Sequence, residues 1–123
     1  MSPRKQSPGS EPGIDASHSN QVVLVGRLAQ TAAERVLPSG DVLCTFRIVV
    51  ARGGDRPRPG VDALECVTWS ARLRRSVGSW RAGDLVRVEG ALRRRFFRAS
   101  GAVASRVEVE AVSGRLVRRA PSA

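Results

Sequence analysis

Residues 93–97, Arg-Arg-Arg-Phe-Phe, set three guanidinium groups against two aromatic rings. A guanidinium binds phosphate through paired N–H donors. A ring offers a flat face on which an unpaired base can stack. In a strand, side chains at i and i+2 share a face. Ala91, Arg93, Arg95 and Phe97 therefore line one side, and Leu92, Arg94 and Phe96 fall on the other, which parity turns inward; Phe96 is a stacking candidate after Phe97 for that reason. Two cations and a ring in line suit a single-stranded polynucleotide, because a duplex hides its base faces. Trp69 extends this surface as a second platform. Its plainer alternative is a barrel-wall residue that buries area and satisfies its indole N–H at a strand edge.

The net charge of +10 on 123 residues points the same way, toward an anionic partner. Between 91 and 119 there are eight arginines and two glutamates, so this half of the chain carries much of the excess. Other chemistries lack their residues. His18 is the one histidine and lies in a polar segment, which leaves no zinc site or histidine-based triad. Asp55, Asp62 and Glu65 are too scattered for metal-dependent catalysis. The Gly-rich "RGGDRPRPG" (52–60) lacks the Lys-Ser/Thr pair of a phosphate loop. No enzyme activity, cofactor or metal is expected. Cys44 and Cys66 read as reduced core thiols. The sequence has neither a secretory signal nor an apolar run of membrane length, so a cytosolic protein is expected.

The elements that must position these residues read as five strands and one helix. Residues 1–19 read as a flexible leader, too polar to order themselves. Strands are expected at 21–30, 41–51, 62–70, 84–97 and 102–112, the last with Val107 and Val109 inward and Glu108 and Glu110 outward. Gly26 in the first marks a bend or bulge. In 71–80, Leu73, Val77 and Trp80 follow helical spacing, with Ser70 or Thr68 as cap. Residues 113–123 read as a short basic tail. One short helix between the third and fourth of five strands is the order of an OB-fold, a five-stranded Greek-key barrel that commonly binds oligonucleotides. The folded domain is expected over 20–112.

Four stretches, "NQVVLVGRLAQ", "LPSGDVLCTFRIVVA", "LECVTW" and "GSWRAGDLVRVEGALRRRFF", occur in an order and spacing that resembles the bacterial single-stranded DNA-binding proteins over residues 20 to about 112. The resemblance implies an OB-fold, a homotetramer formed through the first strand and sheet faces, and sequence-independent binding of single-stranded DNA without catalysis, in replication, recombination or repair. Of the family's four stacking positions, two fall on Trp69 and Phe97. The others fall near Gly54 and Ala63, which cannot stack. Extra phosphate contacts from Arg47, Arg52, Arg56, Arg58, Arg93 and Arg95 are expected to offset that loss and to make binding more salt-sensitive. The chain closes on the basic "RRAPSA" where replicative members carry an acidic tip, so an accessory member that does not recruit partners by that route is expected. The rival readings are an RNA-binding or primosome-type OB module with weakened DNA affinity, and an interaction protein that has lost nucleic-acid binding.

Overall fold

The computed structural model describes residues 17–54 and 60–121. The chain runs β1 (Val22–Leu28), β2 (Ala33–Val36), β3 (Val42–Ala51), β4 (Val61–Thr68), α1 (Ala71–Gly78), β5 (Leu85–Ala99) and β6 (Ala102–Arg118). Arg56 and Arg58, and residues 1–16 of the expected leader, lie outside the described residues.

The pairing makes a circuit. β1 lies antiparallel to β5, from Val22 opposite Gly90 to Arg27 opposite Leu85. β5 pairs with β6, β6 runs parallel to β4 at Cys66 and Val109, and β4 pairs with β3. β3 returns to β1 at Val49 and Ile48. This is the OB-fold read from the sequence, with the helix between β4 and β5. Glycine makes two of its junctions possible. A Cβ at Gly26 would run into the carbonyl oxygen of Val49, and one at Gly90 into that of Glu110. Both sites hold backbones closer than a side chain permits. A register shift falls at Glu89/Gly90.

Alternation along the strands fills the interior with Leu28, Phe46, Ile48, Cys66, Val86 and Val88. The helix closes one end. The Ser70 hydroxyl accepts from the Leu73 amide at 3.1 Å, and Leu73, Val77 and Trp80 face inward as their spacing predicts. Trp80 meets Phe46 edge to face, with centroids 6.1 Å apart. Cys44 and Cys66 are buried free thiols. Burial pushes Cys66 up to about 12 and Cys44 in the same direction, so both stay protonated and packed.

The described residues form six strands where five are expected. β2 is short, and each of its residues is exposed. It adds to the edge of β3 only, so "AERV" carries no alternation to reveal it. β6 runs on to Arg118, well past 112, because the segment expected as a tail pairs with β5 as far as Leu85. Beyond it, the buried Asp84 carboxylate accepts from the Ala120 amide, the Arg81 amide and Arg119 Nη1, each at 2.8 Å. The last turn of the chain is thereby clasped to the start of β5. Among the described residues no helix is long and apolar enough to cross a membrane.

A second difference sets up the site. β1 leaves β5 at Gly90, and β6 leaves β4 below Val109. Residues 94–107 therefore pair only with each other, as a two-stranded arm standing off the barrel. Ser100 and Gly101, at φ 52° and 79°, form its tip. Positive φ at both central residues gives the twist a two-residue hairpin needs. At its root, the Asn20 side chain both donates to the Leu92 carbonyl and accepts from the Leu92 amide, each at 2.9 Å.

Candidate nucleic-acid interface

The outer wall of the barrel carries a depression between β2 and the arm. Arg35, Leu43, Thr45, Val67, Arg95 and Arg106 line it. Leu43 and Val67 are buried although they sit on the outward parity of β3 and β4, so they form an apolar floor. A neighbouring depression shares Ala33 and Thr45 and continues to Arg47 and Glu65. The result is an apolar floor with guanidinium groups and the carboxylates of Glu34 and Glu65 along its sides, an arrangement with room for bases below and phosphates above.

Of the described arginines nominated from the sequence, Arg95 lines the first depression and Arg47 the second, Arg93 lines a separate one beside Val23 and Glu110, and Arg52 lines none of these; each holds a carboxylate. Arg47 is bonded to Glu65. Arg52 holds Asp62 at 2.6 Å, and that hydrogen bond, with the Asp62 charge, pushes the guanidinium further up. Arg93 meets Glu110 at 2.9 Å, and Arg95 meets Glu108 at 3.4 Å. The Arg47, Arg52 and Arg93 pairs are exposed and weak, so an incoming phosphate can exchange for the carboxylate, whereas Glu108 is buried and keeps Arg95 as its cover.

The two aromatic positions differ in setting. Trp69 directly follows β4 and is 40% exposed, which leaves part of its indole face open. Phe97 is 43% exposed on the arm, and Arg106 Cζ lies 5.6 Å from its ring centroid. That contact holds ring and cation side by side. Gly54 and Ala63 are exposed and present no ring.

Three expectations need correction. Phe96, assigned inward by parity, is 68% exposed. Parity holds, but the arm has left the core behind, so its inner face has nothing to pack on. Val107 is exposed for the same reason. Glu108, expected outward in solvent, is buried beneath Arg95 and Arg106, which approach it at 3.4 and 3.7 Å.

Arg35 and Arg106 were not singled out by sequence. Arg35 sits on the unrecognised β2. Arg106 could have been found by counting back from the turn, since Ala99 opposite Ala102 sets Arg95 opposite Arg106.

Comparisons with known proteins bear on the family and the fold. The profile of the Single-strand binding protein family matches residues 19–117. Two relatives named Single-stranded DNA-binding protein 1, from Streptococcus agalactiae serotype III (strain NEM316) and serotype V (strain ATCC BAA-611 / 2603 V/R), are 32% identical over 81 residues. That alignment covers 62% of this chain and 48% of each relative, so the chain spans about half the length of the curated relatives it matches. Among solved structures, a Plasmodium falciparum SSB complex with ssDNA superposes with a TM-score of 0.71 at 19% identity. The superposition covers 85% of this chain and 98% of that one.

Proposed function

Since the chain belongs to the single-strand binding protein family, we propose that it binds single-stranded DNA without regard to sequence and protects it during replication, recombination or repair. One observation carries the reading: Phe97 stands exposed with Arg106 against its ring, at the margin of an arginine-sided groove. Phe97 and Trp69 stack bases. Arg93, Arg47 and Arg52 exchange their carboxylates for phosphates, Arg95 meets phosphate while still covering Glu108, and Arg56 and Arg58 add to them. The family's name, and those of the two bacterial relatives, support this binding role. A binding protein without catalysis fits the same site, which offers cations and rings.

The protein acts as a homo-oligomer on DNA in the cytoplasm, associated with the nucleoid. Val23 and Val25, exposed on the outer face of β1, favour a subunit contact there.

Titration with dT oligomers at two salt concentrations tests the reading. Trp69→Ala and Phe97→Ala are each expected to weaken binding by roughly 1–3 kcal/mol, the contribution of one stacked base. Quenching of Trp69 fluorescence on adding oligo-dT is expected in the wild type. Affinity that neither substitution changes would remove the stacking mechanism. Competition between matched DNA and RNA oligomers separates the RNA-binding alternative.

A further inference from the structure

In the groove, Arg47, Arg95 and Arg106 all lie against carboxylates. The helix-capped end of the barrel differs. Residues 71–83 hold four arginines and no acidic residue, and residues 111–120 hold three arginines and none. The packing of α1 on β6 brings the two sets together. Arg74 is paired with Glu34 at 3.5 Å, and Arg119 with Asp84 at 2.8 Å. Arg72, Arg75, Arg81, Arg115 and Arg118 are exposed, and their side chains make no hydrogen bond or ion pair among the described residues.

Two depressions meet on this end at Ser113 and Gly114. Ser70, Arg72, Ser76 and Val112 line one, and Arg87, Glu89 and Arg115 line the other. Arg72 lies in the first turn of α1, which has no acidic residue. The aligned amides of that turn already carry positive charge, so a cation there is disfavoured. The neighbouring arginines add repulsion. An anion beside Ser70 and Arg72 relieves both, because it meets hydroxyl groups, a guanidinium and the positive end of the helix together.

These features select the occupant. Unpaired bases stack on rings. The exposed large apolar residues of α1 and of residues 111–120 are Val112 and Val117, neither of which has one. An acidic peptide gains its affinity from an apolar anchor in a pocket. Here the depression beside Val112 is lined mostly by hydroxyls and Arg72. A second copy of this chain brings the same cations and a net charge of +10. A duplex hides its bases and presents phosphates, which ask for guanidinium and hydroxyl groups alone.

We propose that the helix-capped end of the barrel binds the phosphate backbone of duplex DNA. Trp69, the residue before Ser70, links this end to the groove along the chain. The protein then seats where a duplex opens, with the paired part on the helix end and the unpaired strand in the groove. The duplex contact stands by itself, and the junction rests on the single-strand reading above.

Three probes test it with the full, untagged chain: a blunt duplex of about 16 base pairs, one and a half turns; dT of about eight nucleotides, within one site size; and the two joined as a junction. The wild type is expected to bind the duplex at low salt and the junction about tenfold or more tighter than either part, through linkage. The triple variant Arg72→Ala/Arg75→Ala/Arg115→Ala is expected to weaken duplex binding about tenfold or more and to flatten its salt slope by about 2.7 in log–log terms, three phosphates' worth. Its dT affinity is expected to stay within about twofold, because groove and end are separate sites. Lysine at the same three positions is expected to keep duplex binding, since lysine also binds phosphate as a point charge. Unchanged urea midpoints exclude unfolding as the cause.

The inference falls if the triple variant weakens dT as much as duplex, since the arginines then act only through net charge. It falls if the lysine variant loses as much as the alanine one. It falls if a poly-glutamate peptide binds this end and duplex does not, which makes the partner an acidic protein. Wild type that binds dT and ignores duplex overturns the inference and leaves the proposed function standing. Wild type that binds duplex and ignores dT does the reverse.

Discussion

The barrel and the arm are built from the same two strands and obey different rules. From Leu85 to Gly90, β5 has β1 on one side and β6 on the other, and its inward residues Val86 and Val88 are fully buried. From Leu92 onward it has β6 alone, and residues of both parities are exposed. The alternation of side chains is continuous through Gly90, but it sorts core from surface only where a core exists. In the barrel, substitutions are expected to act on stability. In the arm, they are expected to act on what the protein binds.

Substitution at the junction itself is expected to have the largest effect. Gly90→Val places a branched side chain against the Glu110 backbone, which cannot give way as a flexible side chain would. A loss of about 3 kcal/mol or more is expected in urea denaturation, at or beyond the upper end of overpacking costs. Phe96→Ala, six residues on, is expected to stay within about 0.5 kcal/mol, as for exposed surface sites. Equal losses at both would mean that the arm is as integral to the fold as the barrel.

Asp84 tests the barrel end through pH. The hydrogen bonds from the Ala120 and Arg81 amides, together with Arg119, hold its carboxyl below the usual range. A depressed folded value stabilises the protein above the ordinary carboxylate value of about 3.9, and that contribution disappears as pH falls through the folded value. Asp84→Asn is therefore expected to lower the urea midpoint at pH 6, with the gap to wild type closing below about pH 4. A gap that stays constant across that range would assign the clasp to packing alone.

The smallest expected effects lie on the groove face, where carboxylates already occupy the arginines. Glu65→Gln frees Arg47, and Glu110→Gln frees Arg93. Each is expected to tighten dT binding a few-fold and to steepen the salt slope by up to about 0.7, the single-strand contribution of one neutralised phosphate. Stability is expected to change by less than about 1 kcal/mol, because the pairs are exposed. A slope unchanged in both variants would show that these arginines do not meet phosphate.

How much was legible in the sequence follows the same division. Wherever a strand packs on the core, its pattern announced it: Val42 to Val50 in β3, and Leu73, Val77 and Trp80 in the helix. Trp69 and Phe97 were found because a ring on the outward parity lacks a core reason to be there, and both are exposed. β2 was missed because an edge strand exposed on both faces has no period to detect. Phe96 was turned inward because parity was carried past the last residue that has an interior to point to. The burial of Glu108 depends on two arginines folding over it from another strand and from its own, and spacing along one strand does not contain that.

The stitch between Asn20 and Leu92 governs how this chain should be handled at the bench. Asn20 sits at the foot of the arm, on the edge of β5 that pairs with β1. An affinity handle or fluorophore attached at Asn20 is expected to stand in the path of a strand along the arm. One attached beyond Ala120 starts from the clasp at Asp84, by the helix-capped end of the barrel, and leaves that path clear.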